Sequence, residues 1–159
     1  MQALMQITFR QFLPGDGETF RRLNEQWIAK YFEIEEKDRL TLNDPVKYIL
    51  RPGGHIYFAT LDDEIVGCCA LIATGANSYE VAKMAVDESV RNHGIGKALL
   101  AHVVAEAREL GARKLTLETN SKLMNAIHVY ESLGFKHIDP WRVEPSPYKR
   151  ADVFMERHL

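Results

Sequence analysis

The chain has 159 residues, 46% of them hydrophobic, and 20 Lys plus Arg against 22 Asp plus Glu give a formal net charge of -2. That length suits one domain, 1–159, with a single sizeable core, and the ordinary apolar fraction excludes an unfolded chain. Near-neutral charge argues against clinging to nucleic acid or an anionic membrane through bulk charge, so neither partner is expected. The opening stretch MQALMQITFRQF holds no apolar run long enough for a signal peptide. Nothing elsewhere approaches the roughly 20 apolar residues of a membrane span, so a cytoplasmic protein is expected.

Residues 7–12 alternate apolar and polar side chains and end at Pro14-Gly15, the pattern of a first strand. Residues 18–31 place Phe20, Leu23, Trp27 and Ile28 near one helical face, and Trp27, Tyr31 and Phe32 are either core or the wall of a pocket. The acidic patch Glu33, Glu35, Glu36 and Asp38, relieved only by Lys37, reads as a solvated face, or else as a lure for a cationic ligand. Asp44-Pro45 starts a short helix over 46–50, because Asp caps and Pro fits the first turn. Strands at 55–61 and 64–73 flank Asp62-Asp63 as an antiparallel hairpin. Cys68 and Cys69 fall in IVGCCALIA, where adjacent strand positions face opposite ways, which suits buried thiols better than a disulfide. With no CxxC or HExxH and scattered histidines, no metal is expected.

A strand at 79–86 runs through a connection at 87–93 into a helix at 95–110, built on Leu99, Leu100, Val103, Val104 and Ala107 and stopped at Gly111. A strand at 114–119 follows, then Asn120-Ser121 as the cap of a helix at 122–133 with Leu123, Ala126, Ile127, Tyr130 and Leu133 at core spacing. Strands at 135–138 and 152–157 close the chain around the Pro-rich segment 140–147. That segment, with Trp141 and Tyr148, is suited to shape either a ligand pocket or a homodimer contact. One mixed α/β domain is expected.

The most informative stretch is VDESVRNHGIGKA, residues 86–98, which passes from a strand to a helix start. Unpaired N–H groups and the helix dipole make such a start a phosphate site, and Gly94 and Gly96 let a phosphate approach the backbone. Arg91 stands where a P-loop needs Gly, and Ala98 where it needs Ser or Thr. Leu99 stands where a dinucleotide fingerprint needs its third Gly, so both of those loops fail.

What matches is Arg91-Asn92-His93-Gly94-Ile95-Gly96, the pattern Arg/Gln-x-x-Gly-x-Gly/Ala. Here the chain resembles the GNAT superfamily of acyl-CoA-dependent N-acyltransferases. The strand Lys83-Met84-Ala85-Val86 before it, and Asn125-Ala126-x-x-x-Tyr130-Glu131-x-x-Gly134-Phe135 after it, are similar to that family's other signatures, in the right order. The resemblance implies a mixed central sheet flanked by helices, with a splayed pair of parallel strands holding acetyl-CoA. It also implies transfer of an acetyl group to a primary amine, a small molecule or a peptide, in a ternary complex. The alternative is a non-catalytic acyl-CoA sensor of the same fold.

By this resemblance Arg91, Asn92, His93, Gly94, Ile95, Gly96, Lys97 and Ala98 hold the pyrophosphate, although Arg91 and Lys97 also suit plain helix-end roles. The backbones of Met84, Ala85 and Val86 hold the pantetheine, with Met84 N–H near the developing oxyanion. Asn125 is a pantetheine contact or an exposed helix amide, and Asn120 is first an N-cap and only second a group facing the thioester. Tyr130 is expected to contact the coenzyme and to assist the departing thiolate, or else to be a core aromatic against Leu123, Ile127 and Leu133. Glu80 is the expected proton acceptor, through water, unless it is a solvated strand residue. Simple alternation puts Glu80 on the same face as Met84 and Val86.

Overall fold

The computed structural model describes residues 6–159, so residues 1–5 of the stretch read for a signal peptide lie outside the described residues. Seven strands form one mixed sheet in the order β1-β2-β3-β4-β5-β7-β6. They are β1 (Ile7–Gln11), β2 (His55–Leu61), β3 (Glu64–Gly75), β4 (Ser78–Val86), β5 (Lys114–Thr119), β6 (Lys136–Ile138) and β7 (Val153–His158). Every neighbouring pair is antiparallel except β4 and β5. At the β2–β3 turn Asp62 and Asp63 both take positive φ, 49° and 67°, which suits the twist of a two-residue hairpin.

Helices cover both faces. On one, α1 (Gly17–Tyr31) and α2 (Glu36–Asn43) bury Phe20, Leu23, Ile28 and Leu42 against Ile56, Phe58, Cys68, Ala70 and Ala85. On the other, α3 (Ile95–Glu109) buries Leu99, Leu100, Val103 and Val104 against Tyr57, Cys69, Leu71, Val81, Leu115 and Met155, and α4 (Met124–Ser132) adds Val129 and Tyr130 at the margin. The neighbouring thiols of Cys68 and Cys69 therefore serve opposite cores, both free and buried. Between α2 and β2 a single π-helical turn, Val46–Leu50, starts where expected, with Asp44 Oδ1 accepting from Lys47 N–H at 3.2 Å.

Three expectations need correction. The acidic patch is not simply a solvated face: it opens α2 through a capping box between Glu35 and Asp38. Asp38 is fully buried, because its carboxylate neutralises two cations described below. The helix after β5 begins at Met124, not Lys122, and Leu123 occupies the cap position; the Asn120 side chain is engaged elsewhere.

The third correction concerns parity. Ala82 pairs with Ala70 and Ala85 with Cys68, so β4 carries one residue more than β3 over that interval. Lys83 sits in this bulge with φ 52°. An extra residue reverses which face the following side chains take. Glu80, paired with Ile72, lies on the α1/α2 face, whereas Met84 and Val86 pack with the α3 core. Glu80 is therefore opposite to them.

The bulge directs Lys83 into a buried ion cluster. Its Nζ donates to Asp38 Oδ1 at 2.7 Å and to Tyr148 Oη at 3.0 Å. Arg150 donates to both Asp38 oxygens at 2.7 Å. Burial pushes the Asp38 carboxyl up, but hydrogen bonds from Arg150 and Lys83 outweigh it and leave it lowered to about 2. Removing one partner from a buried cluster strands the others without compensation. Asp38→Ala is expected to lower unfolding stability by roughly 3–5 kcal/mol, read by denaturant titration. In the parent, Asp38's contribution is fully present above the ordinary carboxylate range and is lost as pH falls through about 2.

Candidate active site

β4 and β5 hydrogen-bond as neighbours only at Ser78↔Lys114, Tyr79↔Leu115 and Glu80↔Thr116. Beyond that point β5 continues beside β7, and β4 bends away through its bulge. The gap is the mouth of a cleft of about 860 Å³, floored by β4 and closed by the N-termini of α3 and α4, by α1–α2, and by the chain before β7. Asp87 N–H is committed to Val66 O at 2.8 Å, on the β3 side. Strand alternation then turns the Val86 and Met84 N–H groups toward the gap.

At one end of the cleft the chain makes a 3₁₀ turn, Glu88–Val90, held by Asp87, whose Oδ1 accepts from Ser89 N–H at 2.9 Å. Asn92 and Gly94 follow with φ 67° and 75°. The first α3 bond is Ala98 N–H to Gly94 O at 3.1 Å. From Asn92 to Lys97 the backbone N–H groups have no protein acceptor among the described residues, a row of donors at the positive end of a 15-residue helix. Gly94 has open space where a Cβ would stand. Arg91 Nε donates to Val86 O at 3.3 Å, and Lys97 is exposed.

Met84, Ala85, Val86, Arg91, Asn92, Gly94, Ile95, Gly96, Lys97, Asn120, Asn125 and Tyr130 all line the cleft. His93 and Ala98 do not. His93 Nδ1 stands 3.1 and 2.8 Å from the Val90 and Arg91 carbonyl oxygens, and Ala98 N–H is used inside the helix. Asn120 is tied at both ends, its Nδ2 donating to Arg150 O at 2.6 Å and its Oδ1 accepting from Lys122 N–H at 2.8 Å. Asn125, exposed in the first turn of α4, keeps its amide for the cleft.

Tyr130 packs edge-on against Phe135, ring centroids 6.1 Å apart, while its side chain also lines the cleft beside Val129. Burial raises its phenol well above the usual tyrosine value, so the hydroxyl keeps its proton. Glu80 enters from the opposite side of the sheet. Burial, then the nearby Glu118 carboxylate, pushes its carboxyl up to about 7, against the pull of Lys37 and Lys83. A carboxylate with that value accepts a proton effectively near neutral pH. Glu118 itself accepts from Ser146 Oγ at 2.7 Å.

The far end of the cleft is built from residues that sequence patterns did not single out as partners: Lys83, Arg150, Glu118 and, beneath them, Asp38. One signal was present, a lone lysine in the otherwise apolar run VAKMAV, which marks either a bulge or a buried counter-ion. Trp27, Tyr31, Phe32 and Tyr148 also line this end, whereas Trp141 is 81% exposed and does not.

Comparisons with known proteins agree with this geometry. The sequence profile of the acetyltransferase (GNAT) family matches residues 3–135. The chain belongs to the GNAT family. It is 31% identical over 138 residues, 82% of each chain, to an uncharacterized N-acetyltransferase, YjgM, of Escherichia coli. A GNAT acetyltransferase structure from Staphylococcus aureus superposes with a TM-score of 0.86 at 25% identity, covering 97% of this chain and 99% of that one. An N-acetyltransferase from Thermoplasma acidophilum in complex with coenzyme A shares the fold, TM-score 0.76 at 19% identity over 98% and 100% of the two chains. The protein is thus a GNAT N-acetyltransferase, and its mixed sheet covered by helices on both faces is the fold of the family. No helix among the described residues is long and apolar enough to cross a membrane.

The raised carboxyl makes a pH prediction. With Glu80 ionised as the active form, kcat/KM rises as pH increases through about 7. Glu118→Gln removes a neighbouring negative charge, so this inflection moves to lower pH. Glu80→Gln removes the inflection, and pH–rate profiles of the three proteins check both statements.

Proposed function

We propose that the enzyme transfers acetyl from acetyl-CoA to the primary amine of an acceptor, within a ternary complex and without a covalent enzyme intermediate. The observation that carries this reading is the parting of β4 from β5 after Glu80↔Thr116, because it opens one cleft to the unpaired amides, Glu80 and Tyr130 together. Residues 1–159 act as one domain, and a cytoplasmic location suits the reading.

The donor row at residues 92–97 suits a pyrophosphate, with Arg91 and Lys97 adding charge at its rim. Met84 and Val86 N–H groups suit the amide-bearing pantetheine arm, and Asn125 can add a side-chain amide. His93 and Ala98 serve this loop as structure, shaping its turn and starting α3. When bound, acetyl-CoA supplies an activated acetyl group on a thioester whose sulfur leaves as a thiol.

The chain's own groups handle the protons. Glu80 Oε accepts one proton from the acceptor's ammonium, directly or through a water, freeing the nitrogen lone pair for attack on the acyl carbon. The Met84 N–H receives the carbonyl oxygen in this reading as charge develops on it. Tyr130 Oη–H donates to the sulfur as the carbon–sulfur bond breaks, and the second proton lost by the nitrogen restores the phenol through solvent. One ammonium and one acetyl thioester thus become one amide, one thiol and one released proton.

Tyr130→Phe removes the hydroxyl and keeps the ring against Phe135. Turnover, followed as released thiol, is expected to fall roughly ten- to a thousand-fold. Coenzyme A affinity by calorimetry and the melting temperature stay near the parent's. Full activity in this variant overturns the acid role, and a parent that binds neither coenzyme A nor acetyl-CoA at millimolar concentration overturns the transferase reading.

A further inference from the structure

The acceptor end of the cleft has two walls of opposite charge. One carries Glu80 and Glu118. The other carries Arg150, Lys83 and Lys37 around the Tyr148 ring, with cation-to-centroid distances of 4.4, 4.6 and 5.7 Å.

Arg150 is gripped end-on. Nη1 donates to Asp38 Oδ2 at 2.7 Å and to Glu35 Oε2 at 3.3 Å, and Nη2 donates to Asp38 Oδ1 at 2.7 Å. A guanidinium presents five N–H donors. The two left over, Nε–H and the second Nη2–H, share one edge and have no protein acceptor among the described residues. That edge has the geometry for two parallel bonds to a carboxylate. Asp38 cannot be the group that fills it, because both its oxygens are already engaged by Arg150 and Lys83. Lys83 Nζ uses one hydrogen on Asp38 and one on Tyr148 Oη, which leaves a third. Lys37, exposed at the rim, has no carboxylate within ion-pair distance among the described residues.

We propose that the acceptor is an amine bearing its own carboxylate, with free amino acids the simplest members of the class. Its carboxylate docks on the side edge of Arg150, flanked by Lys83 and Lys37, and its amine faces Glu80. This rests on the transferase reading with Glu80 as proton acceptor. A polyamine would set further cations against Arg150, Lys83 and Lys37, which the basic wall opposes.

The test measures acetyl-CoA turnover by released thiol with the common free amino acids, each beside its primary amide, and with spermidine. Free acids are expected to exceed their amides by about tenfold or more in kcat/KM, mainly through KM. The amide's amine is the less basic of the two and deprotonates more readily, so intrinsic reactivity does not produce this preference. Arg150→Lys keeps a cation against Asp38 but lacks the planar fork. In that variant the acid-to-amide ratio falls toward one, with the melting temperature as a folding control. Lys37→Met, which leaves the buried cluster intact, lowers the ratio by a smaller factor and serves if Arg150→Lys does not fold.

Amides or spermidine acetylated as well as the acids would overturn the proposal, as would a ratio unmoved in both variants. Coenzyme binding without turnover of any carboxylate-bearing amine overturns this inference alone. Failure to bind coenzyme overturns the transferase reading beneath it.

Discussion

A single buried carboxylate organises the working end of this molecule. Asp38 lies in α2, yet it binds Lys83 of β4 and Arg150 of the chain before β7, segments 45 and 112 residues away. Lys83 reaches it only because the bulge turns that residue off the strand's regular alternation, and the same bulge bends β4 from β5. Shape and charge therefore have one origin. A regular β4 would pair further along β5, close the cleft and turn the residues after the bulge, Lys83 included, to the other face.

The second consequence is chemical. The proposed reaction needs different protonation states of two acids in one cleft, and their surroundings separate them. Tyr130 sits among apolar side chains on the α3 side and stays protonated. Glu80 sits on the other face beside another carboxylate and within reach of two lysines, so its value settles near neutrality rather than at either extreme. A proton donor and a proton acceptor are thus available at the same pH. The phosphate-type loop takes no part in these proton transfers; its row of donors is made of backbone groups left over by the start of α3.

Local patterns made most of this fold legible. β2, β5 and the 46–50 turn occur with the expected bounds, the ends of the other expected elements shift by a residue or two, and α2 stands where no helix was expected. The glycine turn at 91–98, proposed above for the coenzyme, was readable because its pattern is contiguous. The acceptor end was not, for three physical reasons. A bulge breaks period-two alternation without changing composition, so Glu80 was assigned to the wrong face. The Glu35–Asp38 capping box has the appearance of a surface charge run until its partners arrive from β4 and from before β7. Asn120 looks like a helix cap, but a backbone carbonyl 30 residues later takes its amide. Each error concerns a contact made across a long stretch of chain.

The same cluster sets the protein's stability and its usefulness against each other. A dehydrated group of two cations and a carboxylate contributes little net folding energy compared with well-packed apolar side chains of equal volume. Sequences that fill this space with leucine or methionine would keep the sheet and gain heat resistance, and they would lose the charged wall of the cleft. Variants chosen on melting temperature alone would therefore drift toward proteins that keep the family fold without the acceptor wall proposed above.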